Sequence, residues 1–169
     1  VSYATQAVNQ GSSFVLQAST GHPGHLIRGV VNALASKGPS LLRIYTPDPM
    51  ANGLSGEEVA EDASLALGSR AIPLFSYDPA NAESPLSIQG NPGLDADWAG
   101  HTFEIRDGSG SLETVKVVLT VADWAVHQLR FKKHFKLLRK AQLSDDMRPL
   151  SAYLAMDEKS RAGLAAYIC

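Results

Sequence analysis

The apolar positions of the chain change period several times, and each change marks an element. Residues 12–20 hold a compact apolar centre, Phe14-Val15-Leu16, which predicts a buried strand over 12–19. Over 22–38 the spacing becomes helical: Leu26, Val30, Ala33 and Leu34 recur on one side, and Gly38 supplies a stop. This predicts a helix over 22–36. Residues 40–46, SLLRIYT, return to a short apolar run and predict a second strand. Strand, helix and strand joined by short connections imply parallel strands and a right-handed crossover. A second helix is expected over 55–69. Ser55 and Glu58 form a capping box, Glu57 and Glu58 suit the positive end of the helix dipole, and Val59, Ala63, Ala66 and Leu67 make a buried stripe. Residues 71–76 read as a third strand. The expected architecture is α/β: three layers built on a mainly parallel sheet of 12–19, 40–46 and 71–76.

Beyond residue 80 the texture changes. A Pro-, Gly- and Asn-rich stretch reads as loop. HTFEIRDGSGSLETVKVVLT, residues 101–120, predicts a β-hairpin with DGSG at its tip. Residues 121–140 predict a long amphipathic helix with Trp124, Gln128, Phe131, Phe135 and Leu138 along one stripe. Residues 147–168 predict one or two short helices. The chain thus divides into an α/β part, 1–80, and a loop, hairpin and helical tail, 81–169, packed on it.

Composition narrows the function more than the fold. The chain has 169 residues, 44% of them hydrophobic and 19% charged, enough for one ordinary domain with a core. A formal net charge of -2 gives no pull towards nucleic acid or a membrane surface. No apolar run approaches the roughly 20 residues that span a bilayer. The first ten residues lack the charged and apolar regions of a signal peptide. Cys169 is the single cysteine, so neither an intramolecular disulfide nor a CxxC motif exists, in keeping with the cytoplasm. The chain begins without Met and stops after AAYIC, and reads as a piece of something larger.

Self-contained catalytic patterns are missing. The five histidines show no HExxH pairing, and there is no GxSxG elbow or P-loop. GSGSL, residues 108–112, fits a hairpin tip rather than a phosphate loop. His22 and His25 follow a strand and open a helix, a place where open α/β sheets hold ligands, but helix capping accounts for them equally. His127 and His134 read as surface or core-edge residues, and Trp124, Phe131 and Phe135 as core. The run Arg130–Lys140 holds six Lys or Arg and no acid. It is either a solvated face or a contact for an anionic partner. One suggestive loop remains, 46–53, at the carboxyl end of the second strand.

At this loop the sequence resembles a known family. GHPGHLIRGVVNALASKGPSLLRIYTPDPMANGL followed by SRAIPLFSYDP is similar to the C-terminal region of the pyruvate:ferredoxin (flavodoxin) oxidoreductases, most clearly over residues 11–80. The resemblance implies the back half of a thiamine diphosphate-binding fold. It implies a parent enzyme that oxidatively decarboxylates a 2-oxo acid to its acyl-CoA. That enzyme uses thiamine diphosphate, Mg²⁺, iron–sulfur clusters, coenzyme A, and ferredoxin or flavodoxin. The family's Gly-Asp-Gly…Asn motif for the diphosphate is not in this chain; in the family it lies upstream of the matching region. No cofactor, metal, nucleic acid or membrane is therefore expected of this chain, whose partners would be the remaining domains of its parent, and isolated it would be inactive. By resemblance, Tyr45, Thr46, Asp48 and Asn52 form a loop close to the cofactor. Asp48 stands at about the position of a cysteine that holds a [4Fe–4S] cluster. Either the parent lacks that cluster, or ligates it differently, or the loop correspondence is shifted by a residue. Alternatively, Asp48 only fixes a turn between Pro47 and Pro49. A second class of function is also open: a non-catalytic α/β module that docks a partner through its basic C-terminal helix.

Overall fold

A computed structural model describes residues 2–95, 99–106 and 110–168. Its core is the expected strand–helix–strand unit, in which β1 (Phe14–Ser19) runs parallel to β2 (Ser40–Tyr45) over six register pairs. Between them, α2 (Pro23–Ala35) covers one face. Phe14, Leu16 and Ala18 of β1 point to that face and meet Ala33, Leu26 and Val30. Gly29 lets α2 approach, since a Cβ there would lie 2.3 Å from Leu16 Cδ1. The opposite face carries Val15, Gln17 and Ser19. It is covered by α1 (Tyr3–Gln10), a helix not expected from the sequence, and α4 (Glu58–Gly68) meets the strand ends there, with Asp62 at Tyr45 and Ala63 at Gly21. All six β1 residues are buried, in keeping with the apolar centre Phe14-Val15-Leu16. The fold is thus α/β, with helices on both faces of the sheet.

One strand direction differs from expectation. β3 (Phe75–Tyr77) joins the sheet on the other side of β1, but antiparallel to it, and β4 (Leu86–Ser87) continues antiparallel. The order is β2-β1-β3-β4. After α4 the chain turns sharply through Arg70, at φ 59°, and enters β3 from the opposite end. An apolar run carries no direction; the exit of the preceding helix sets it.

The hairpin is as expected, with β5 (Ala99–Arg106) and β6 (Leu112–Leu119) paired antiparallel. Its tip residues 107–109, and Cys169, lie outside the described residues. The long helix over 121–140 is not formed. It is replaced by α5 (Val121–Ala125), a 3₁₀ turn over Leu129–His134 and a second one at Lys140–Gln142. Like charges at helical spacing, Lys132 with Lys136, and Lys136 with Arg139 and Lys140, disfavour a continuous helix there. The break lets Gln128 turn inward. In the tail, β7 (Met147–Pro149), α6 (Leu150–Ala155) and β8 (Ala165–Tyr167) form a small parallel unit. Only the helix of this unit was expected. Among the described residues no helix is long and apolar enough to cross a membrane.

Candidate functional site

The polar side chains converge at the carboxyl end of β2, where parallel strands in open sheets hold ligands. Tyr45 ends the strand on the face shared with Ser19, its register partner. Its hydroxyl donates to Asp62 Oδ2 at 2.8 Å and accepts from Trp124 Nε1 at 3.3 Å. The other carboxylate oxygen of Asp62 accepts from Gln128 Nε2 at 2.5 Å. Asp62 is only 3% exposed and Gln128 fully buried. The Asp62 carboxyl group is thus held in the interior by two neutral donors, Tyr45 and Gln128, which replace part of its lost hydration. Gln128 Oε1 is buried and, among the described residues, without a hydrogen-bond partner. Arg130 stacks over Trp124 and Phe131, its guanidinium carbon 5.4 and 4.8 Å from their ring centroids.

Burial, followed by the hydrogen bond to Asp62, pushes the Tyr45 phenol up to about 12; the Trp124 N–H and the Arg130 charge oppose this. The unfolded phenol titrates near 10 and the folded one near 12, so the network contributes fully below pH 10 and is lost as pH rises from 10 to 12. Ultraviolet titration at high pH should show a late-ionising phenol that belongs to Tyr45. Tyr45→Phe should remove that step; its persistence in the variant would disprove the assignment.

The loop beyond Tyr45 is organised by Asp48. Its carboxylate accepts from the backbone N–H groups of Met50 and Ala51 at 2.9 and 3.2 Å, capping the single turn α3 (Pro49–Asn52). Pro49 stands in the first turn of α3, where its missing N–H costs nothing. Thr46 and Asp48 are exposed, while Pro47 is buried and Asn52 half-buried. The Asn52 N–H bonds the Asp48 carbonyl at 2.9 Å. Thus Tyr45 enters the buried network, whereas Thr46, Asp48 and Asn52 form the outer turn. Loss of two capping bonds in Asp48→Ala should lower stability by about 1 kcal/mol in urea unfolding; an unchanged midpoint would show that the cap is idle.

His22 and His25 lie at the end of β1. His22 Nδ1 accepts from the His25 N–H at 3.2 Å, so His22 caps α2. Burial, then the charges of His22 and Arg28, lowers the pKa of His25. The preceding Gly21 is packed against α4: a Cβ there would lie 2.5 Å from the carbonyl oxygen of Ala63. His127 and His134 are exposed.

Asp62 and Gln128 lie outside the loop that the sequence singles out. Gln128 falls on the stripe with Trp124, Phe131, Phe135 and Leu138, a pattern that carries no chemistry of its own. Asp62 carried a local signal: it falls between Val59 and Ala63 on the buried side of α4, an acid at an apolar position. Among the described residues no group of three or more His, Cys, Asp or Glu is placed to hold a metal ion.

No family model matches the chain. Over 133 residues it is 26% identical to "Pyruvate synthase subunit PorB" of Methanosarcina barkeri (strain Fusaro / DSM 804). The match takes in 75% of this chain and 42% of that relative, so the chain spans under half the relative's length. Over most of its length, then, the chain is similar to part of a pyruvate synthase subunit.

Proposed function

We propose that the chain is part of a 2-oxoacid:ferredoxin or flavodoxin oxidoreductase, which converts pyruvate or a related 2-oxo acid to the acyl-CoA in the cytoplasm. The observation that carries this reading is the 133-residue similarity to a pyruvate synthase subunit. The placement of the 46–53 loop at the carboxyl end of a parallel strand supports it.

In this reading the chain supplies scaffold and a loop wall rather than the reacting groups. Thiamine diphosphate, bound elsewhere in the parent, would supply the carbanion chemistry. The loop of this chain does not fit an iron–sulfur cluster. Asp48 offers hard oxygen instead of thiolate, and its carboxylate already accepts two backbone N–H groups. No step is assigned to a metal or cluster here. What Tyr45, Asp62, Trp124 and Gln128 do is hold the end of β2, and with it the loop, in one position.

The β2 edge supports the presence of further chain. Leu42 and Ile44 are exposed on the α2 side, and Ile27, Val31 and Leu34 form a second apolar stripe on α2 itself, with Leu34 82% exposed. A strand edge of this kind invites pairing. In the proposed parent, the sheet continues across it. Leu34→Lys with Ile44→Lys should leave the isolated chain folded by circular dichroism and prevent co-purification with the rest of the parent. Co-purification of the double variant would refute this seam.

The decisive experiment is an assay of the parent protein. It should reduce ferredoxin, flavodoxin or a low-potential dye in the presence of a 2-oxo acid and coenzyme A. Purified parent with no such activity on any 2-oxo acid would overturn the reading.

A further inference from the structure

The tail contains a cleft that the proposed chemistry does not use. Its volume is about 970 Å³, at the upper end of the roughly 300–1,000 Å³ of small-molecule sites. Four segments wall it: α5, the stretch after the 3₁₀ turn, α6 and the end of β8. Val126, Phe135, Leu138, Leu143, Leu150 and Ile168 give it an apolar lining. Lys132 and Lys136 are its charged lining residues, one on each side of Phe135, and no acid lines it. Both lysines are exposed, and among the described residues no carboxylate pairs with either. They belong to the segment 130–140, with six cations and no acid. A positive potential therefore sits at the edge of an apolar hollow, uncompensated by any ion pair among the described residues.

We propose that this cleft binds a single-chain amphiphile with an anionic head. The apolar body fills the space between Leu138, Leu143 and Leu150. The head, a carboxylate or phosphate, pairs with Lys132 and Lys136. A neutral hydrophobe of the same length would leave both cations unused, and a cationic one would be repelled. The walls from four separate segments make a hollow suited to a compact chain rather than a flat face. The site is independent of the oxidoreductase reading.

Isothermal titration of the full chain with dodecanoate below its micellar concentration tests this. Saturable binding at one site per chain is expected. Lys132→Glu with Lys136→Glu should weaken it by about tenfold or more, since both partners of the head are reversed. Circular dichroism of the double variant should be unchanged, because both side chains are exposed. Dodecyltrimethylammonium should show no saturable binding. The proposal is overturned if dodecanoate does not saturate, if the double variant binds it unchanged, or if the cationic detergent binds equally well. It is also overturned if an acidic Glu/Leu helical peptide binds in a Lys132- and Lys136-dependent way while dodecanoate does not, since the cleft is then a protein-docking groove.

Discussion

Asp62→Ala is expected to destabilise the chain by about 4 kcal/mol, a large effect for one side chain. The carboxylate accepts from the Tyr45 hydroxyl and from Gln128 Nε2, and its removal leaves the buried Gln128 donor and the half-buried Tyr45 hydroxyl without this acceptor. An orphaned buried donor costs about 1–3 kcal/mol, and a cavity adds to that. Asp62→Asn gives an informative contrast. It keeps one acceptor oxygen for the Tyr45 hydroxyl, and its new N–H₂ group replaces the oxygen that meets Gln128 Nε2, so the Gln128 amide must turn over to offer Oε1, which has no partner among the described residues. Its cost should be about 1–2 kcal/mol. Urea unfolding followed by the fluorescence of the buried Trp124 measures both. Equal losses in the two variants would mean that the network does not depend on the acceptor oxygens.

Gly21→Ala should cost about 3 kcal/mol by a different route. The added methyl would lie 2.5 Å from the Ala63 carbonyl oxygen, 2.6 Å from its carbon and 2.9 Å from the Ser64 nitrogen. These are backbone atoms of α4, so no side chain can swing aside. Either α4 moves away from the end of β1, or the turn at residue 21 opens. The first outcome displaces Asp62 from Tyr45, because Asp62 is next to Ala63. Hydrogen exchange should therefore quicken in α4 as well as at the turn. A Gly21→Ala protein with unchanged thermal midpoint and unchanged exchange in α4 would show that the close approach is not maintained in solution.

The two substitutions act at one place, the end of the parallel pair. There β1 turns into α2 and β2 turns into α3, and α4 lies against both. The cap by Asp48 and the buried anchor through Tyr45 hold the same loop from its two sides. If the oxidoreductase reading holds, changes at Asp62 would reach the cofactor region through the loop, without Asp62 touching a reacting atom.

The sequence by itself determined the strand–helix–strand unit, the approximate extent of the two main helices, the hairpin and the turn at Asp48. Each of these rests on neighbours a few residues apart: a capping side chain, a helical or continuous apolar period, a loop between two prolines. It determined the inward stripe of Trp124, Gln128, Phe131 and Phe135 as well, since that pattern survives the loss of the long helix. Only the tertiary structure decided the direction of β3, because an apolar run reads the same from either end. It alone divided the segment 121–140, where Gln128 is drawn to a carboxylate 66 positions away while like charges oppose a helix. It alone made Asp62 a buried anchor. On the isolated helix that residue is one acid among several, and its role exists only when Tyr45 and Gln128 arrive from distant parts of the chain to donate to it.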